Sequence, residues 1–567
     1  MIFMDVQNVM LSEILYRILQ FRVVYYITAR LFLCIFLSDT DGQIHRMGGM
    51  NYMNTMPEIK KDSQGIARLY VDNEPFLILG GELHNSSTSD LQYMEEQVWP
   101  NLRDLNINTV LLPVCWETVE PYENEYDFSL TEELIKQAKR EQVHLVLLWF
   151  GLWKNGESFY APEWVKKERR RFFRARYRDS SESETISPLC GEAVQRDRMA
   201  FCKLMEYLQE NDRQHTVLMA QVENEIGFLK SDRDYSPAAN EAFRQEIPIQ
   251  LQTLYQKRGN WENAFGADAA EYFMAWHYAR AVDEIAGRGK EIYKLPMYTN
   301  AWLSQHPNRA GIYPSGGPVA KLIPLWQAAA PSLDMLSPDI YVLDFKSECI
   351  AYTHHGNPLF IPETGRNKGA ASKVFYAVGA HHTIGFAPFG IEDIQAADKK
   401  NMDPGQLTEL NIMAEAFDDR NTAPYLRESY RLLRGMKEVL FTIPSEGMVG
   451  YMQSNPYEAG CILEFERYDI QLDYLCGETG SAGMLILEED GFYLAGCNTR
   501  FTVIPKKGNH GQVEILRYEE GEFEKGIWKR KRILNGDERY DLAVYDSPRT
   551  VHMKLYSHSS KVFDSHE

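Results

Sequence analysis

Eight short apolar runs, at residues 76–85, 108–116, 144–153, 217–225, 295–302, 335–341, 358–363 and 382–389, constrain most strongly how this chain can fold. Each ends in polar or aromatic residues, and stretches of helical periodicity, such as 130–141 and 197–210, lie between them. Apolar strands alternating with amphipathic helices predict a parallel α/β fold, and eight of them predict a closed (β/α)8 TIM barrel. At 567 residues the chain has room for such a barrel and one further domain. After about residue 440 the texture changes to short alternating runs, such as Gly483-Met-Leu-Ile-Leu-Glu and Gly491-Phe-Tyr-Leu-Ala-Gly. The expected organisation is a barrel over 53–440 and a C-terminal all-β, sandwich-like accessory domain over 441–567. Such period-two strands carry one apolar face, to be covered by the barrel's helices or by a second subunit of a homo-oligomer. The charged segment 519–538 reads as a loop anchored by Phe523, Ile527 and Trp528.

Two of the runs end in a glutamate shortly before a glycine: Val217-Leu-Met-Ala-Gln-Val-Glu-Asn-Glu225-Ile-Gly and Pro358-Leu-Phe-Ile-Pro-Glu363-Thr-Gly. The interval between them fits three βα units of about 40 residues each. In a barrel both carboxylates would rise onto the C-terminal rim, where such folds carry their chemistry. A carboxylic acid and a carboxylate flanking one bond are what retaining glycoside cleavage requires. Glu223 reads as lying on the same side of the strand as Glu225, in a supporting role. Trp116, Trp149 and Trp153 close runs two and three, and serve either as platforms for a sugar face or as core. His84 is equally a hydrogen-bonded structural histidine or a sugar ligand.

The net charge of −20, from 60 basic and 80 acidic residues, argues against nucleic acid and anionic membranes as partners and suits a neutral substrate. The basic run 166–178 is followed by acidic residues and reads as a solvated helix face. Eight cysteines without C-x-x-C spacing read as free thiols of a reducing compartment. The adjacent histidine pairs 354–355 and 381–382 would point to opposite faces of a strand, so no metal or cofactor is expected.

Residues 18–37 are apolar but interrupted by Arg22 and Arg30, each costing about 2.5–3.5 kcal/mol at mid-bilayer. They also lack the basic head and small-residue cleavage site of a signal peptide. Gly48-Gly49 would be encoded by GGN-GGN, which can spell a bacterial ribosome-binding site, three codons before Met53. Residues 1–52 therefore read as a mis-called start, with a cytoplasmic protein beginning near Met53. A signal or anchor, making the protein secreted or membrane-attached, and a genuine extension are the alternatives.

Four further segments carry a family resemblance: Gly80-Gly-Glu-Leu-His-Asn-Ser-Ser87, Asn108-Thr-Val with Trp116 and Glu120-Pro121, Gln221-Val-Glu-Asn-Glu-Ile-Gly227, and Ile361-Pro-Glu-Thr-Gly365. From about residue 58 to 557 the chain resembles β-galactosidases of glycoside hydrolase family 35, in a bacterial branch related to family 42. Its tail resembles the β-domain of unknown function common in that branch. The resemblance implies a retaining exo-β-galactosidase with Glu225 as acid/base and Glu363 as nucleophile. It implies that Asn224 bonds the sugar 2-hydroxyl and that Tyr341 orients Glu363. Two departures touch the sugar pocket: Asn85 stands where many members have Tyr, and Trp149-Phe-Gly-Leu-Trp-Lys-Asn155 replaces a Cys-Ala-Glu-Trp segment. They leave open a β-glucoside, β-xyloside or arabinopyranoside as substrate. A non-catalytic carbohydrate-binding barrel is the reading from a different class.

Overall fold

The computed structural model describes residues 55–396, 405, 414–506 and 512–558. The segment before Met53 lies outside the described residues, and no described helix is long and apolar enough to cross a membrane.

Eight parallel strands close a barrel: β1 (Ile78–Glu82), β2 (Thr109–Cys115), β3 (His144–Lys154), β4 (Val217–Asn224), β5 (Met297–Trp302), β6 (Met335–Ile340), β7 (Ile361–Thr364) and β8 (Gly385–Pro388). They follow one another in chain order, β8 pairs back onto β1, and the expected barrel is present. Alternation along each strand sorts the core into two layers. Ile78, Leu111, Val146, Leu148, Phe150, Tyr298 and Met335 form an inner cluster. Their neighbours Leu79, Val110, Leu112, Leu145, Leu147 and Met297 belong to the outer cluster shared with the helices. Among those helices are α1 (Ser129–Glu141), α2 (Gly191–Asn211), α3 (Ala269–Ile292), α4 (Ala370–His381) and α5 (Ala423–Thr442). A three-stranded antiparallel sheet (Glu58–Lys61, Ala67–Val71, Glu74–Phe76) precedes β1 and adds Leu69 and Val71 to the inner cluster.

The C-terminal strands are β9 (Met448–Met452), β10 (Gly460–Glu464), β11 (Tyr468–Tyr474), β12 (Ala482–Glu488), β13 (Gly491–Cys497), β14 (Thr499–Pro505), β15 (Gln512–Glu524), β16 (Ile527–Leu534), β17 (Ala543–Val544) and β18 (Arg549–His558). They form two antiparallel sheets, ordered β9-β12-β13-β18-β15-β16 and β10-β11-β14-β17. Leu485, Phe492 and Leu494 of the first sheet pack with Ile470, Leu472 and Phe501 of the second. The opposite face of the first sheet, with Met484, Ile486, Tyr493 and Ala495, joins the barrel's outer core. The barrel thus supplies the cover that the alternating pattern demands.

Two local expectations are corrected. Segment 519–538 is not a loop: most of it is the β15–β16 hairpin, with Phe523 buried and Ile527 exposed. It crosses the sheet edge as paired strands because its charges alternate outward and pair, as Lys531 does with Glu522 and Arg532 with Glu520. The basic run is helical only over Glu163–Lys167. Its cations are matched by carboxylates, Arg169 with Glu182 and Glu184, and Arg171 with Glu123 and Glu192.

Candidate active site

The end of β3 is where the rim is built. Against one residue of β4, Glu223, β3 inserts four, since Trp149 faces Val222 while Lys154 faces Asn224. The inserted backbone amides lose their ladder partners, and a buried unpaired N–H is costly. Glu223 meets that need: its carboxyl accepts from Leu152 N at 3.1 Å and from Trp153 N at 2.6 Å. Asp197 of α2 accepts from Leu152 N and from Trp149 Nε1. Gly151 is required there, because a Cβ would lie 2.5–2.6 Å from the carboxylates of Asp197 and Glu223 and from Trp149 Nε1. Glu223 therefore faces α2 and not the side of Glu225. Its positive φ of 62° breaks the alternation on which the sequence expectation relied.

The bulge delivers Lys154 into the barrel mouth, where its Nζ donates to Asn224 Oδ1 at 2.7 Å. Asn224 Nδ2, fully buried, has no hydrogen-bond partner among the described residues. Glu225 follows at φ 45°, its N–H donating to Asn300 Oδ1 at 2.9 Å. Positive φ in a glutamate is strained, a kind of strain that clusters at functional sites. Asn300 also donates from Nδ2 to Asp339 Oδ2 at 2.6 Å, so one β5 amide positions groups on both neighbouring strands. Tyr341, just past β6, donates its hydroxyl hydrogen bond to Glu363 Oε1.

Carboxylate oxygens of Glu225, Asp339 and Glu363 lie within 4.8 Å of one another, and all three side chains are buried. They line a cavity of about 100 Å³ with Asn85, Lys154, Trp302 and Phe417. Burial pushes the Glu225 carboxyl up to about 7, and the nearby charge of Glu363 adds to the shift. Burial also raises Glu363, opposed by the Lys154 ammonium and the Tyr341 hydrogen bond. Asp339 is raised well above the carboxylate range by burial and then by Glu363, Glu225 and Glu82. Glu82, ending β1, is raised likewise by burial and by Glu363, and neither of its oxygens has a hydrogen-bond partner among the described residues. Four carboxyls thus share one ammonium. Three of them would suit a hard divalent cation by donor type. Asn300 donates to Asp339 Oδ2 and Tyr341 to Glu363 Oε1, while Asp339 Oδ1 and Glu363 Oε2 have no hydrogen-bond partner among the described residues.

The structure brings Glu225, Glu363, Asn224, Tyr341 and Asn85 to one mouth. His84 sits beside it, its Nε2 2.7 Å from Asp393 Oδ2 and its ring edge-on to Phe389, a histidine held by structure. The three tryptophans are corrected: Trp116, Trp149 and Trp153 are fully buried, and none lines the cavity. Their indole N–H groups donate to Glu120, Asp197 and the Ile186 carbonyl. Trp149 shares the outward parity of Leu145 and Leu147, and the bulge turns Trp153 outward as well. The tryptophan that does line the mouth is Trp302, at the end of β5, together with Tyr341, Phe389 and Phe417. Lys154, Asp339, Glu82 and Trp302 were not singled out from sequence, although each lies in an expected strand or directly after one.

An activity measured against pH follows directly. If Glu225 must begin protonated, kcat/KM falls as pH rises through about 7, its folded value. The same shift costs stability: the folded state holds a proton that the unfolded chain releases from about 4.5, so stability drops between about pH 4.5 and 7. Glu225→Gln is expected to raise Tm at pH 8 relative to the parent. A parent profile flat to pH 9 would contradict the assignment.

Residues 68–294 match the family model described as glycosyl hydrolases family 35, and residues 426–544 match a domain of unknown function, DUF5597. No curated protein matches the chain. Solved structures include the β-galactosidase of the psychrophilic Marinomonas ef1, at 13% identity and TM-score 0.43 over 65% of this chain and 61% of that one. The β-galactosidase of Rahnella sp. R3 matches at 13% identity and TM-score 0.40, over 55% and 50%. An exo-β-1,4-mannosidase of Opitutaceae bacterium strain TAV5 matches at 15% and TM-score 0.38, over 67% and 62%. The chain thus spans only half to three-fifths of the first two, and likeness at this level bears on neither substrate nor residue role. The family model covers β1 to β4, including Asn224 and Glu225, and over these residues the chain is similar to the glycosyl hydrolases of family 35.

Proposed function

We propose that the protein is a retaining exo-β-glycosidase that removes terminal β-linked galactose from oligosaccharides or glycans. The observation that carries this reading is the approach of Glu225 and Glu363 oxygens to within 4.8 Å in one small buried mouth. Retaining enzymes keep their carboxyl groups about 5–5.5 Å apart, whereas inverting ones leave about 6.5–9.5 Å for a water. Glu363 attacks the anomeric carbon while the bond to the leaving oxygen breaks, and Glu225 gives that oxygen its proton. With Glu363 esterified, the repulsion that raised Glu225 disappears, and Glu225 takes a proton from the water that releases the sugar. Tyr341 steadies Glu363, and the free amide hydrogens of Asn224 await the sugar 2-hydroxyl. Galactose is proposed from the family resemblance; a β-glucoside, β-xyloside or arabinopyranoside would use the same machinery.

The stereochemical test is direct. Proton NMR of the first minutes of hydrolysis is expected to show the β-anomer, with α appearing only as mutarotation proceeds. Initial α-anomer would mean that water attacks directly. A panel of nitrophenyl β-glycosides ranks the sugars.

A further inference from the structure

The mouth does not end at the barrel. A second cavity of about 220 Å³ adjoins it, and Tyr341 and Val342 line both. One wall is barrel rim, with Asn367 and Lys373 at the start of α4; the facing wall is Gln453, Asn455 and Thr479 of the C-terminal domain. The size falls short of the roughly 300–1,000 Å³ that hold drug-sized ligands and suits a single ring. We infer that this cavity is the binding site for the sugar unit that leaves, so that the domain of unknown function forms half of an aglycone subsite. The inference rests on the glycosidase reading above.

The lining has the chemistry of a polyol site. Asn367 Oδ1 is shielded from solvent without a hydrogen-bond partner, while its Nδ2 is spent on the Glu415 carbonyl. Lys373 has no carboxylate partner among the described residues, its ammonium resting over the Phe345 ring at 5.2 Å. Burial draws that ammonium down to about 8, as expected of a charge awaiting a partner. Glu415 lines the same space, and with Asn367, Gln453, Asn455 and Thr479 it makes a lining of mixed donors and acceptors that suits a hydroxyl-rich ligand. Gln453 is fixed by its bond to the Glu458 carbonyl, and Asn455 by accepting from Tyr457 N. Amides held in place in this way can donate and accept at a ring without first losing rotamer freedom. An exo-acting enzyme holds its terminal sugar at Glu225 and Glu363. Tyr341 and Val342 are shared by the two cavities, so a leaving sugar that extends from the mouth beside them enters this one.

The test compares a leaving group that cannot reach the cavity with one that must. β-Galactosyl fluoride releases a single atom; lactose and the 1→2, 1→3 and 1→6 galactosyl disaccharides release a sugar. Asn455→Trp, on an exposed turn, would fill the cavity without disturbing the core, and Gln453→Ala would remove a wall. Both are expected to keep kcat/KM for the fluoride within twofold. On the preferred disaccharide they should lower it at least tenfold, about 1.4 kcal/mol, with wild-type Tm. Equal losses on fluoride and disaccharide, or none on either, would overturn the subsite. Failure of the parent to cleave the fluoride or any of these disaccharides would overturn the galactoside reading, and failure on the whole nitrophenyl panel the glycosidase reading itself.

Discussion

Glu363→Ala is expected to lose at least about 10⁴-fold in kcat, or roughly 5.4 kcal/mol at 1.36 per decade. Azide should restore turnover and leave a glycosyl azide of inverted configuration. A small anion can enter the space vacated by the side chain, and Lys154, which lowers the proton affinity of Glu363, remains to hold it. Glu225→Ala should behave differently. The first step survives with leaving groups that need no proton, and natural disaccharides stop. The contrast between the two variants matters more than either loss, because a merely structural carboxylate would cost all substrates alike. Near-normal hydrolysis of a disaccharide by either variant would remove both assignments.

Much of this was legible from sequence because strands announce themselves as apolar runs and barrels place chemistry at their ends. All eight runs contain a barrel strand whose ends differ from the run by up to three residues, with β3 and β7 each reaching one residue further. The two glutamates were legible for the same reason. The rest was hidden by local geometry. Inner and outer faces alternate strictly on β1, β5 and β6, so the parity of Ile78, Tyr298 and Met335 points Glu82, Trp302 and Asp339 into the barrel. Applied to β3, that count would have turned Trp149 outward. No count could have placed Lys154, which depends on a four-residue bulge and on Glu223, two positions before Glu225, which holds that bulge. Asp339 carries a further lesson. A carboxyl beside Pro338 in an apolar run looks like a strand end, yet it is the third member of the buried cluster.

Truncation after Ile443 is expected to leave a fragment, 53–443, that aggregates or fails to unfold cooperatively, although it retains both glutamates. The first C-terminal sheet is bolted to α4 and α5 by close packing. Gly379 of α4 sits so near β12 that a Cβ would lie 2.4 Å from Met484 Cβ, and Gly450 of β9 would meet Ala380 N at the same distance. Ser372 donates to the Thr479 carbonyl, and Arg431 of α5 pairs with Glu522. Met448, Met484, Ile486 and Phe523 lie buried in one core with Val374, Phe375, Leu433 and Met436 of the barrel helices. At about 1.5–3 kcal/mol for each large side chain, uncovering the partners of those four forfeits roughly 6–12 kcal/mol. That rivals the 5–15 kcal/mol by which whole domains are stable. Gly379→Leu tests the same interface in the intact chain: if the docking is as tight as the glycines require, Tm falls by many degrees or the protein is insoluble. A soluble, monomeric and cooperatively folded 53–443 fragment would show that the barrel's outer helices need no cover. The C-terminal domain would then owe its place to the substrate cavity alone.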